Sequence, residues 1–195
     1  MKRLLPLPLL LASTLPAMAH PAQFHPQDAG AALQSGFLHP LAGLDHLLVM
    51  VAVGLWAAKL GGRALWLLPC SFVGSMLLGS ILGLGGIHLP AMEHGILASM
   101  ILLGAALGMA WRPALSVATL FIVAAGLCHG FAHGTEIPSG SLPLLFLAGM
   151  VCATAALHGS GLTIGAVAEK NRFSVVTRAT GVALVATALL TAFLS

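Results

Sequence analysis

The sequence predicts an all-α integral membrane protein, a bundle of six transmembrane helices after a cleaved signal peptide. Three observations carry that expectation. Only 7% of the 195 residues are charged and 58% are hydrophobic, whereas a soluble domain carries roughly a quarter charged residues. Apolar runs recur at close to the ~20 residues needed to cross a bilayer core. The Lys and Arg residues beyond the first segment fall into alternate loops, as the positive-inside rule requires.

Residues 1–19 read as the signal peptide. Lys2 and Arg3 form the basic start, Leu4 to Leu11 a short apolar core, and Ala17-Met18-Ala19 a small-residue cleavage site. Pro6, Pro8 and the short length weigh against a retained anchor. Cleavage after Ala19 would expose His20, with His25 nearby, at the head of a polar periplasmic segment spanning 20–36. The six-helix domain covers 37–195, with spans at Phe37–Ala58, Ala64–Leu84, Met92–Trp111, Ala114–His133, Leu142–Ala168 and Val175–Leu194. The fifth is the longest, and His158-Gly159-Ser160-Gly161 marks a place where it is expected to tilt or unwind. Ser71, Ser75, Gly79 and Gly83 recur every fourth residue in the second span, as do Gly104 and Gly108 in the third. Such stripes let helix backbones approach closely in lipid.

Lys59 and Arg63 lie in the first loop, Arg112 in the third, and Lys170, Arg172 and Arg178 around the fifth. The second loop, the fourth loop and the 20–36 segment contain no Lys or Arg. The expected location is therefore the bacterial inner membrane, multi-pass, with both mature termini periplasmic. The basic residues never cluster in a way that suits nucleic acid, so the bilayer itself is the expected partner. Cys70, Cys128 and Cys152 sit inside apolar runs and form no CxxC pair, which speaks for packing rather than a disulfide framework or zinc ribbon.

The nine histidines are the informative excess, because ionisable residues in membrane spans are costly and mark pathways or sites. His39 and His46 open span one, His88 and His94 flank the start of span three, and His129 and His133 close span four, all at outer helix ends. His158 alone is expected near mid-membrane. At ~100° per residue, His39, Gly43, His46 and Met50 share one stripe of a helix. Imidazole suits nickel, copper, zinc and iron, and a thioether adds a soft contact. Asp45 is expected either to ligate from a bent helix N-terminus or to hold an imidazole tautomer. His129 and His133, at i and i+4, have chelating spacing, with Gly130 where a zinc protease would carry its general base. Glu93-His94 repeats the acid–histidine pair, and Glu136 is read as a metal ligand or a loop carboxylate. The candidate metal residues are thus His39, Asp45, His46, Met50, Glu93, His94, His129, His133, Glu136 and His158.

The run HPLAGLDHLLVMVAVGLWAA, from His39 to Ala58, resembles the HPxxGxDHxxxMxxxGxxA signature of the HupE/UreJ proteins. GLCHGFAHGTE, from Gly126 to Glu136, is similar to that family's second histidine block. The signal peptide, six spans and length fit as well. The resemblance implies a nickel or cobalt permease tied to hydrogenase or urease maturation proteins, with no permanently bound cofactor and Ni2+ or Co2+ as cargo. Residue by residue, it supports His39, Asp45 and His46, and more loosely His129, His133 and Glu136. The first motif also resembles the His-x4-Asp-His element of another nickel/cobalt transporter family, with a spacing one residue longer.

Other readings use the same residues. Paired histidines on different helices could ligate b-type haem, or the chain could bind metal for delivery without transporting it. An intramembrane hydrolase built on Ser160 and His158 is disfavoured by their separation of two residues and the lack of a GxSxG elbow. Metal-assisted hydrolysis would need ligands much like these. No nucleotide-binding loop is present, so direct ATP drive is not expected.

Overall fold

A computed structural model describes residues 28–87, 89–170 and 174–194. The expected signal peptide, His20, His25 and His88 lie outside the described residues. Seven helices, and no strand, make up what is described: α1 (Ala29–Ala42), α2 (Leu44–Leu60), α3 (Ala64–Leu84), α4 (Met92–Gly108), α5 (Leu115–Thr135), α6 (Pro143–Lys170) and α7 (Ser174–Leu194). Four of them are long and apolar enough to cross a membrane, namely α3, α5, and α6 and α7 over Pro143–Ala168 and Val175–Leu194. Their outward surfaces carry large apolar side chains, among them Leu120, Leu144, Val175 and Phe193, the reverse of a water-facing helix. The described residues are all-helical, and the chain is a multi-pass membrane protein.

The expected straight first span is corrected. α1 and α2 meet at a break bent by 83°, and α1 runs back along the first half of α6, with Gly36 against Phe146 and Gly149 against Leu33 and Phe37. Asp28 starts α1 by accepting a hydrogen bond from the Gly30 amide at 2.8 Å. Near its end, Pro40 has no amide hydrogen to return to Gly36, and Gly43 is extended at φ −99°, ψ 123°. His39 and His46 therefore belong to two helices, and the single stripe joining them to Met50 does not exist. A Cβ at Gly43 would stand 2.7 Å from Asp45 Oδ1 and 2.9 Å from the His46 ring. Only glycine leaves the corner open for those two side chains.

α6 is likewise continuous through His158-Gly159-Ser160-Gly161, against the expected interruption. Gly161 instead lets the α2 backbone at Val51 and Leu55 approach, and Gly54 on α2 faces the His158 carbonyl and Leu162. Ser160 returns its hydroxyl to the Ala156 carbonyl at 2.9 Å, away from any relay with His158. α4, at 17 residues, is shorter than the expected Met92–Trp111. It stops because Ala110 turns left-handed at φ 56°, and the Trp111 amide closes on the Ala106 carbonyl at 2.8 Å.

α2 packs along α6 and α3 along α5, each pair running in the same direction, while α4 crosses α7 at Gly104 and Gly181. The α3 stripe serves as expected: Gly79 lies against Leu127 and Phe131, and Gly83 against Phe131 and Thr135. α5 answers with Gly126, Gly130 and Gly134, which face Phe72, Met76 and Ser80. This interlock carries the α5 C-terminus to the same end as the α1–α2 corner. The loops bearing Arg63 and Arg112 meet at the opposite end, where Leu60, Gly61, Ala64, Arg112 and Pro113 line one shallow groove. Trp56 ties that end together, donating to the Trp111 carbonyl at 3.1 Å.

Candidate metal centre

Four side chains from three elements converge at the end away from the arginine loops. His39 closes α1, His46 opens α2, His133 sits in the last turn of α5, and Glu136 caps that helix. One ligand atom from each lies within 4.8 Å of the others. His39 Nε2 is 3.0 Å from His133 Nδ1 and 3.1 Å from Glu136 Oε2, and His133 Nδ1 is 3.8 Å from the same oxygen. The His46 ring lies 4.5 Å from that of His133 and 6.1 Å from that of His39, centroid to centroid.

Local structure explains the convergence. The break at Gly43 turns α2 away from α1 and leaves both histidines in the corner. The small residues of α5 let it sink against α3, so that His133 becomes fully buried. Phe146 of α6 backs His39 edge-on at 5.5 Å.

Charge and exposure grade across the group. Glu136 is half-exposed while His133 is inaccessible. The imidazoles of His133 and His39 hold the Glu136 carboxyl well below the usual carboxylate range, so it stays anionic. Asp45 stands beside His46, with Oδ2 3.8 Å from Nε2, in the first turn of α2. There it offsets the positive end of the helix dipole, which would otherwise repel a cation. Buried polar atoms ordinarily find partners, at a cost of about 1–3 kcal/mol when they do not. Yet His46 Nδ1 and His133 Nε2 have none among the described residues. Three imidazoles and a carboxylate with nitrogens to spare form a donor set suited to a borderline divalent ion such as nickel, cobalt or zinc.

A fourth histidine continues the group inward. His129 is fully buried one turn before His133, its ring 5.8 Å from that of His46. Its Nδ1 donates to the Ala125 carbonyl at 2.9 Å, which leaves Nε2 as the basic, unpartnered nitrogen.

The remaining candidates lie elsewhere. Glu93 and His94 are exposed in the first turn of α4 and take no part in the four-residue group. Met50 and His158 are buried in the bundle interior, with His158 near the middle of α6. Sequence reasoning passed over Phe146, Phe72 and Gly43's role as a corner. The phenylalanines offer no signal in so apolar a chain, whereas the Pro40-x-x-Gly43 spacing does mark a helix break.

The family model described as HupE / UreJ protein matches residues 8–191. Protein HupE of Rhizobium leguminosarum bv. viciae is 38% identical over 183 residues, covering 93% of this chain and 94% of that protein. No solved structure matches significantly. With a family model spanning most of its length and a relative aligned nearly end to end, this chain belongs to the HupE/UreJ family.

Proposed function

We propose that the protein imports a divalent transition-metal ion, Ni2+ or Co2+, across the bacterial inner membrane. The observation that carries this reading is the group His39, His46, His133 and Glu136, placed at the end of the bundle opposite the arginine loops. By the positive-inside rule the arginine end is cytoplasmic, so the metal group faces the periplasm. Glu136 and His39 are its accessible members and His129 leads inward, an order suited to capture followed by transfer.

In this reading α2 forms the first crossing and α4 another short one, giving six spans with α3, α5, α6 and α7. Residues 1–19 are removed as a signal peptide, and both mature termini are periplasmic. The inside-negative potential favours cation entry by about 2.3 kcal/mol per charge for each 100 mV. Delivery would serve the nickel- or cobalt-dependent maturation of a hydrogenase or urease, in keeping with the family's name. The histidines converge on one point rather than facing each other across a slot, which favours an ion over haem.

Nickel accumulation by cells expressing the chain tests the proposal. Accumulation above vector controls, collapsing with the membrane potential and in a His133→Ala variant that inserts normally, is expected. Equal accumulation in that variant and wild type would overturn it.

A further inference from the structure

Deeper in the bundle lies a second set of donors that the outer group does not use. Met50 of α2, Met76 of α3 and Thr154 of α6 are fully buried, and His158 is 2% exposed. The Thr154 hydroxyl donates to the Met50 sulfur at 3.4 Å and stands 3.8 Å from the Met76 sulfur, so one hydroxyl gathers both thioethers. His158 follows Thr154 by one helical turn on the same face of α6. Phe72, one turn before Met76, places its ring 5.2 Å from that of His158 and 5.8 Å from that of His129. A single aromatic side chain thus touches the innermost histidine of the outer path and the histidine below it.

His158 has no ordinary structural explanation. A packing histidine in a membrane helix satisfies a ring nitrogen on a carbonyl, as His129 does on Ala125. Neither nitrogen of His158 has a partner among the described residues. Its surroundings supply two polarisable sulfurs and a hydroxyl free to rotate back onto its own helix.

We propose that His158, Met50 and Met76 form a second metal site, with Thr154 a positioning residue that holds the thioethers together. The inference rests on the import reading, since its ligand is the same divalent transition-metal ion after it leaves the outer group. The donor set is neutral and soft. It discriminates against Mg2+ and Ca2+, which need oxygen ligands. Lacking a carboxylate, it holds the ion more weakly than the outer group, as a transit site must for the ion to move on.

The test loads the full-length protein in detergent with two equivalents of Ni2+ and records its nickel X-ray absorption spectrum. The outer group offers only nitrogen and oxygen. Sulfur scattering is expected in wild type, retained in Glu136→Gln, and lost in the volume-conserving Met50→Leu/Met76→Leu variant. Scattering from cysteine would survive that double change, so its persistence would overturn the proposal, as would its absence from wild type. In proteoliposomes, the double variant should import nickel at least tenfold more slowly, with outer-group affinity within twofold of wild type. Import at the wild-type rate would also overturn the site's role. If the double variant fails to insert, His158→Gln replaces it, with bound nickel expected to fall from two ions to one and an unchanged count refuting the site. Wild type that imports nothing would sink the import reading alone, because the sulfur signal decides the site independently.

Discussion

Replacing Glu136 with Gln keeps the shape of the side chain and removes the one negative charge in the four-residue group. Its oxygen lies 3.1 Å from His39 Nε2 and 3.8 Å from His133 Nδ1, so an ion held by those nitrogens would touch it. At an effective dielectric of 20, unit charges 4 Å apart interact by about 4 kcal/mol. Glu136 is half-exposed, and solvent screens a large part of that attraction. A remaining loss of about 1.5–3 kcal/mol corresponds to a roughly 10- to 100-fold weaker nickel affinity. Titration calorimetry on the purified protein measures it, with Asp28→Asn as a charge-matched control, because Asp28 caps α1 through Gly30 and lies outside the group. Affinity within twofold of wild type in Glu136→Gln would refute the placement of the ion among these four residues.

Nickel binding should weaken as pH falls below about 6, where imidazoles take up protons and cease to be ligands. Glu136 is held below the usual carboxylate range and stays anionic across that window, so Glu136→Gln should lower affinity throughout it. Saturating nickel should raise the unfolding temperature of the detergent-solubilised protein, since 100 Kd of ligand adds about 2.7 kcal/mol. That rise should vanish with a chelator and in His133→Ala. Gly130→Val should destabilise the bundle by about 1–3 kcal/mol or more, because a Cβ there meets the Met76 backbone. Thermal unfolding by circular dichroism, together with lost nickel affinity as α5 is pushed away from α3, checks it.

How much of this was legible in the sequence depends on whether the signal was local. α3 begins and ends where its apolar run does, at Ala64 and Leu84, because in lipid every backbone group must be satisfied within the helix. The small residues of α3 also announced a close contact, although not that α5 would supply it. The first motif revealed its chemistry but not its shape. A 3.6-residue period assumes a continuous helix, and Pro40 with Gly43 ends that continuity between the two histidines.

Longer-range facts were out of reach. Glu93-His94 looks like Asp45-His46 as a string, yet only the latter shares a corner with the end of α5. Glu136 could be read as a loop carboxylate until the α3–α5 interlock placed it over His39. Met76 and Thr154 carry no mark in an apolar run, and their partnership with Met50 joins three helices that the chain order does not pair.

The most direct measurement is radioactive nickel influx into proteoliposomes, comparing wild type with His46→Ala at matched insertion and with cobalt as competitor. The account predicts influx in wild type that cobalt competes for and that falls at least tenfold in His46→Ala. Influx that survives the substitution, or wild-type protein that binds nickel but passes none, would contradict it.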